Sequence, residues 1–416
     1  MKTDLDRLMD EKGLDAIWVT GPAQHNASMV YFTGVGHLTH ADCIKKRGEK
    51  PVLFHAPMER DEAAHTGLDT VNRSKYEFKK LLEETDGDDV RARAMMYQRM
   101  LEDIDLLEGK IALYGKVDVS SSWGEFSHLR DRMSGLELVG EGKNSLLLEA
   151  RASKSEQEVE NIREMGKITT RVVQRVQDLL TGSRVGDTQE LLKDDGDPLC
   201  IGDVKSKITL GLAELGAENP KGAIFAIGRD AGVPHSSGTD SDILYLGKTI
   251  VFDIFPCQQG GGYFYDFTRT WCLGYAPDEA RALYKDVLQV YRAIISELEV
   301  GQHAPELQER TCELFEDQGH QTIRQDHQLE NGYVHSLGHG LGLDIHERPT
   351  FGTGATEKDR LVEGAVTTIE PGLYYPDRDM GCRLENTVWV RPDGEMEVLA
   401  DYPLDLVLDM EHWNPE

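Results

Sequence analysis

No run of eighteen apolar residues occurs anywhere in this chain of 416 residues, which excludes a membrane-spanning helix of ordinary length. The opening stretch MKTDLDRLMDEKG is charged where a secretory leader would be apolar, so a cytoplasmic protein is expected. Cysteine is sparse: six residues, at 43, 200, 257, 272, 312 and 382, with no Cys-x-x-Cys pair among them. That scatter excludes a disulfide framework or a structural zinc site of ordinary spacing and predicts reduced thiols. Positive charge is the other shortage. With 45 Lys and Arg against 74 Asp and Glu, the formal net charge of -29 repels nucleic acid and anionic membranes at long range. Most of that acid is expected on the solvated surface, with a minority free to bind cations.

At this length two or three domains are expected, and the patterning divides near residue 150. Residues 1–150 read as an α/β layer: TDLDRLMDEKG as a helix closed by Gly13, LDAIWVT, SMVYFTGV and KPVLFHA as strands, and VRARAMMYQRMLEDIDLL as a helix. The histidines of this part (25, 37, 40, 55, 65 and 128) show no ligand spacing. Beyond it, Ser155 and Glu158 form a capping-box pattern ahead of an apolar face of Val159, Ile162, Val172, Val173, Val176, Leu179 and Leu180 that ends at Gly182. A second amphipathic helix is expected after Pro277, carrying Leu283, Val287, Tyr291, Ile294 and Leu298, and a shorter one after Pro305.

Between these helices, strand-like runs are interrupted by acid. Asp253 stands inside GKTIVFDIFP and Glu370 inside GAVTTIEPGLYY, each six residues after a glycine, Gly247 and Gly364. A second acid follows each, Asp266 after 13 residues and Glu385 after 15, and a threonine follows two positions later, Thr268 and Thr387. The two halves read as copies of one strand-pair unit. A buried carboxylate costs several kcal/mol unless it is paired, protonated or bound to metal. Arg269 and Arg383 could neutralise two of the four, which leaves two acids and a histidine cluster over.

That cluster lies in YVHSLGHGLGLDIHERP, with His335, His339 and His346. A zinc-protease helix needs Glu directly after its first histidine, and none is present. Gly338, Gly340 and Gly342 would each weaken a helix by about 1 kcal/mol, so turning backbone is expected. If the two strand pairs face each other across a pseudo-two-fold axis, four carboxylates converge and His339 completes a five-ligand set. Such a set suits two divalent ions of the manganese, cobalt or zinc kind.

Asp253 with YFYDFTRT, HSLGHGLGLDIHERP, TIEPGLYY and RLENT together resemble the pita-bread-fold metallopeptidases, in the branch of Xaa-Pro aminopeptidase and Xaa-Pro dipeptidase. The resemblance spans most of residues 150–400, while LDAIWVTGP and YFTGV resemble the creatinase/prolidase N-terminal domain of that branch. It implies an α/β (α+β) chain with that N-terminal domain at residues 1–150. Residues 151–416 would form a pita-bread catalytic domain with an internal pseudo-two-fold duplication. Carried over by motif, Asp253 would hold one metal, His339 and Glu370 the other, and Asp266 and Glu385 would bridge two ions, manganese first among the candidates. His335 and His346 would donate to the substrate, and His235 in VPHSSGTD resembles a further active-site histidine. Tyr263, Arg383 and Phe255 are candidates for substrate recognition. His303, His320, His327 and His412 match no motif and are expected at the surface.

The implied activity is hydrolysis of the bond preceding proline in a di- or oligopeptide, by a hydroxide shared between the metals with Glu370 as proton shuttle, in a homodimer. Two alternatives stay open: creatinase-like action on another C–N bond, although creatinase-like members lack the full metal set kept here, and a non-catalytic interaction protein on the same fold. The segment DIFPCQQGGGYFYD departs from the family, which commonly has glycine two positions after the first Asp and a shorter loop. The loop Ile254–Tyr265 is therefore expected to trim the pocket for the residue before proline.

Overall fold

The computed structural model describes residues 4–413. The described residues form two units, the first running up to residue 150 with 260–262 and the second covering 151–259 and from 263 onward.

In the first unit, helix α1 (Leu5–Glu11) leads through Gly13, at φ 61°, into strand β1 (Ala16–Gly21). All six residues of β1 are buried. Strand periodicity sends Ile17 and Val19 into one apolar cluster and Ala16 and Trp18 into another. The stretch SMVYFTGV, expected as a strand, is instead helix α2 (Ala27–Thr33). Asn26 caps it by accepting a bond from the Met29 amide, Gly34 closes it at φ 70°, and Met29, Val30 and Phe32 are buried. A good cap and a helical burial pattern override the strand preference of valine and the aromatics.

Strands β2 (Ala41–Lys46), β3 (Val52–His55), β4 (Asp69–Asn72), β5 (Gly109–Gly115) and β6 (Leu136–Gly140) complete a mixed sheet in the order β4-β3-β2-β1-β5-β6. The meander β1-β2-β3 is antiparallel, whereas β5 runs parallel to both β1 and β6. Helix α3 (Asp89–Asp103) packs Tyr97 edge-on against Trp18.

The second unit opens with α4 (Glu156–Thr181), where both bonds of the Ser155–Glu158 capping box are formed. Helix α5 (Ile201–Glu214) follows, then strands β7 (Ala223–Ile227), β8 (Thr249–Ile254) and β9 (Phe267–Leu273). The pattern then recurs: helices α6 (Asp278–Glu297) and α7 (Ala304–Asp317), then β10 (His339–Gly340), β11 (Glu347–Thr350), β12 (Val366–Ile369), the hairpin β13 (Gly372–Tyr375) and β14 (Met380–Arg383), and β15 (Asn386–Val390). One sheet runs β7-β8-β9-β17 and the other β11-β10-β12-β15-β16, with β16 at Met396–Val398 and β17 at Val407–Leu408. Residues of α4 and α5 share a core with β8 and β9, and residues of α6 and α7 share another with β12 and β15.

All six thiols are free. Among the described residues no helix is long and apolar enough to cross a membrane.

Candidate metal centre

The two halves of the second unit meet through their threonines. Thr268 and Glu385 form an isolated bridge, with the Glu385 amide donating to the Thr268 carbonyl at 3.1 Å and the Thr268 hydroxyl to Glu385 Oε2 at 2.7 Å. In return, the Thr387 hydroxyl donates to the Asp266 carbonyl at 2.9 Å. Asp253 lies opposite Thr268 in the β8–β9 register, and Thr368 opposite Thr387 in β12–β15. The acids stand in or beside these strand pairs, Asp253 within β8, Asp266 just before β9, Glu370 just after β12 and Glu385 just before β15.

One ligand atom each of Asp266, His339 and Glu385 lie within 4.8 Å of one another. Nε2 of His339 is also 3.4 Å from Glu370 Oε1, and 3.5 Å from Asp266 Oδ2. Asp253 stands instead against Arg383, with Nη2 2.5 Å from Oδ2. Exposures of 8% for Asp253, 4% for Asp266 and 1% for Glu385 put these three at the floor, with His339 and Glu370 half-buried above.

The glycines of the histidine segment serve close approach. A Cβ on Gly338 would lie 2.1 Å from the Thr368 carbonyl oxygen, and one on Gly342 2.6 Å from Glu347 Oε2. Backbone packed this tightly holds His339 against β12, where its amide donates to Thr368 Oγ1 at 3.0 Å. Its Nδ1 donates to the Gly340 carbonyl at 3.1 Å, which leaves Nε2 as the nitrogen facing the acids.

Protein charge alone does not balance this pocket. Burial raises the Asp253 carboxyl to about 6 against the pull of Arg383, and raises Glu370 to about 7 against His339 and Arg383. Glu385 is driven well above the carboxylate range by burial, then by Asp266, Glu370 and Asp253. Burial would lower His339, but Asp266 and Glu370 together outweigh it and raise the ring to about 9. Two buried oxygens, Asp253 Oδ1 and Glu385 Oε1, have no hydrogen-bond partner among the described residues. An unpaired buried acceptor costs about 1–3 kcal/mol, and an oxygen-rich set with one imidazole suits a divalent cation. The residues present fit the expected metal.

Of the arginines that could have neutralised the acids, only Arg383 meets one. Arg269 donates to the carbonyls of Pro403, Thr268, Glu385 and Tyr402 and to the Asn386 side chain. Arg383, 2% exposed, also donates to Thr268 Oγ1 at 3.3 Å, the Pro234 carbonyl at 3.2 Å and the Tyr374 hydroxyl at 2.7 Å. It is a partner of Asp253 inside the wall, where sequence reading expected a substrate contact. His335 differs in the same way. Its Nδ1 donates to the Ser336 carbonyl at 2.5 Å and its Nε2 lies 2.7 Å from the Tyr374 hydroxyl, so both nitrogens are used within the protein. Burial and Arg383 lower its ring to about 3, so Nε2 accepts from Tyr374.

His346 is exposed, its ring 4.3 Å from that of His339 and at 79° to it. His235 is exposed as well, beside the Pro234 carbonyl that Arg383 holds. Phe255 is partly buried against the α4 and β8 core. Tyr263 packs there too and gives its hydroxyl to Glu158 at 2.9 Å.

Sequence reading passed over Tyr374 and Thr368. Thr368 Oγ1 lies 3.2 Å from Glu370 Oε1 as well as accepting from His339. The signal was the pair Tyr374-Tyr375 after Glu370, since strand alternation must turn one ring inward. The other ring corrects a further expectation: His320 is no surface residue, lying 2.7 Å from the Tyr375 hydroxyl and 3.2 Å from Asp286. His303, half-buried, bonds the Thr356 carbonyl at 3.0 Å, whereas His327 and His412 are exposed as expected.

A duplicated α/β unit with carboxylates gathered around one imidazole has the framework of a metal-dependent hydrolase. Residues 160–392 match the model of metallopeptidase family M24, and the chain belongs to that family. It is 25% identical over 401 residues to an Xaa-Pro dipeptidase of Pyrococcus furiosus, covering 95% of this chain and 97% of that one. Its fold is that of the Xaa-Pro dipeptidase structure from Bacillus anthracis, with a TM-score of 0.72 at 20% identity over 97% of this chain and 98% of the other. An X-Pro aminopeptidase structure from Thermotoga maritima gives a TM-score of 0.72 at 21% identity over 96% and 99%.

Proposed function

We propose that this metallopeptidase hydrolyses the peptide bond preceding proline, using two divalent cations held by Asp253, Asp266, His339, Glu370 and Glu385. The observation that carries the reading is the surplus of buried acid around His339, with Asp253 Oδ1 and Glu385 Oε1 left unpaired. The full-length similarity to an Xaa-Pro dipeptidase supports the choice of substrate. When bound, the cations would polarise the scissile carbonyl and make water acidic enough to supply a nucleophile near neutral pH.

The protein's own groups would do the rest. Glu370, half-buried and steadied by Thr368, would take a proton and pass it to the leaving nitrogen. His346 would donate to the carbonyl oxygen as negative charge develops there. The chain from Asp253 through Arg383 and Tyr374 to His335 would hold Asp253 in place at the floor. His235, exposed next to that chain, would contact the bound peptide. A prolyl nitrogen offers no hydrogen to bind, so shape must contribute to selection, with Phe255 and Tyr263 as the bulky groups on the loop beside β8.

The reading includes manganese as the first ion to supply, a cytoplasmic location and a homodimer, the last open to sedimentation analysis. The test is hydrolysis of Ala-Pro, Ala-Pro-Ala and Ala-Ala by metal-loaded protein, with and without a chelator. Proline-dependent, chelator-sensitive cleavage is expected. Equal cleavage of Ala-Ala, or none of any peptide, would overturn it, and the ratio of the first two rates separates dipeptidase from aminopeptidase.

A further inference from the structure

Behind His346 lies a group of buried charges that the reaction does not use. Glu347 is 6% exposed, Arg151 4% and Lys154 7%. Oε1 of Glu347 accepts from Arg151 Nε at 3.1 Å, from Arg151 Nη2 at 2.6 Å and from the Asp344 amide at 3.0 Å. Its Oε2 accepts from Lys154 Nζ at 3.1 Å, and Arg151 Nη2 also reaches Asp344 Oδ2 at 2.7 Å. One carboxylate thus closes both ends of the turn from Asp344 to Glu347 while meeting two cations.

The placement of this group is specific. Glu347 begins β11 and stands opposite Gly340 in the β10–β11 register, one residue from His339. Its carboxylate fills the space a side chain at Gly342 would need. The segment carrying the cations is itself fastened to the strand that leads to Glu370, since the Lys154 amide donates to the Gly364 carbonyl at 2.7 Å and Ser153 bridges to Ala365. Among the described residues, the exposed ring of His346 meets no comparable restraint beyond its contact with His339. Burying three charges together is costly unless geometry is good, and removing the anion strands two cations in the interior.

We infer that Glu347 is a positioning residue, which locks the Gly342–Glu347 turn between Arg151 and Lys154 and so presents His346 beside His339. Two cations on one carboxylate fix the turn from two directions, so His346 meets the substrate at a set angle without being held by bonds that would occupy its nitrogens.

The inference rests on the reading of His346 as a donor to the substrate, and a double-mutant cycle tests it. Glu347→Gln keeps the side-chain shape and removes the charge. It should lower kcat for Ala-Pro about tenfold, as a small misplacement of a reacting group does, with KM within about twofold and metal content unchanged. In the His346→Ala background the same change should cost nothing more. Equal losses in both backgrounds, or an undiminished kcat in the single variant, would overturn the proposal. If Glu347→Gln fails to fold, Lys154→Met enters the same cycle with the same outcomes. A second readout is independent of hydrolysis: the imidazole NMR signals of His346 in metal-free protein should move or broaden in Glu347→Gln, and unmoved signals overturn the lock. Moved signals in a protein whose metal-loaded wild type leaves Ala-Pro intact would support the lock and reject the substrate reading alone.

Discussion

Thr268 gives its hydroxyl hydrogen to Oε2 of Glu385 at 2.7 Å, and both residues are buried, one in each half of the duplicated unit. A carboxylate held this way presents its other oxygen, Oε1, in a fixed direction, and that oxygen has no hydrogen-bond partner among the described residues. Thr268→Val preserves shape and removes the bond. Metal affinity should fall on the order of tenfold, the scale for groups that orient a ligand. Competition titration against a chelating dye measures it, and unchanged affinity would show that Glu385 needs no such support.

The depth of the acids makes a second prediction. Asp266 and Glu385 sit with His339 in the tight cluster, while Asp253 is shared with Arg383. Asp266→Ala or Glu385→Ala should therefore cost more bound metal per chain than Asp253→Ala. Elemental analysis of the purified variants decides it, and full metal content in either of the first two would remove them from the ligand set.

The two neighbouring imidazoles should separate cleanly. His339→Ala is expected to lower metal occupancy. His346→Ala should leave occupancy nearly intact and reduce kcat on the order of a hundredfold, the loss of one donor to developing charge. Matching metal losses would make His346 a ligand.

Acid sensitivity should trace to Glu347. Burial pushes its carboxyl up, but Arg151 and Lys154 pull harder, and folding carries it from 4.5 to about 2. A depressed folded pKa contributes stability that is complete above the unfolded value and is lost as pH falls through the folded one. The window therefore lies between about 4.5 and 2, and the loss is on the order of 3 kcal/mol. Urea midpoints of the wild type should drop more steeply over that range than those of Glu347→Gln. Parallel curves would mean that other carboxylates govern acid unfolding.

Much of the candidate site was legible because Asp253 follows Thr-Ile-Val-Phe in a buried strand, a costly place for an unpaired acid, and the similar pattern at Glu370 marked the second copy. Ser155 and Glu158 likewise announce a helix start by local chemistry alone. Other features needed tertiary information. The helix Ala27–Thr33 is built from residues that favour strands, and its cap at Asn26 is a single polar side chain easily read as a turn. Which ring of Tyr374-Tyr375 turns inward depends on the pairing of Gly372 with Arg383, set by a hairpin whose register local composition leaves open. Arg383 and His335 were recognisable as candidates, but their partners depended on that same register.

The last strand, Val407–Leu408, pairs in parallel with Cys272 and Leu273 of the first sheet, although it follows the whole second half in the chain. The two copies are thus laced together at both ends, by the threonine exchange at the floor and by this returning edge. A chain severed between Tyr275 and Pro277 would yield pieces that each hold only part of the proposed ligand set, the first also lacking its outer strand. Mixed together, such pieces would have reason to recombine, and the divalent ion would then act as an adhesive whose uptake reports reassembly.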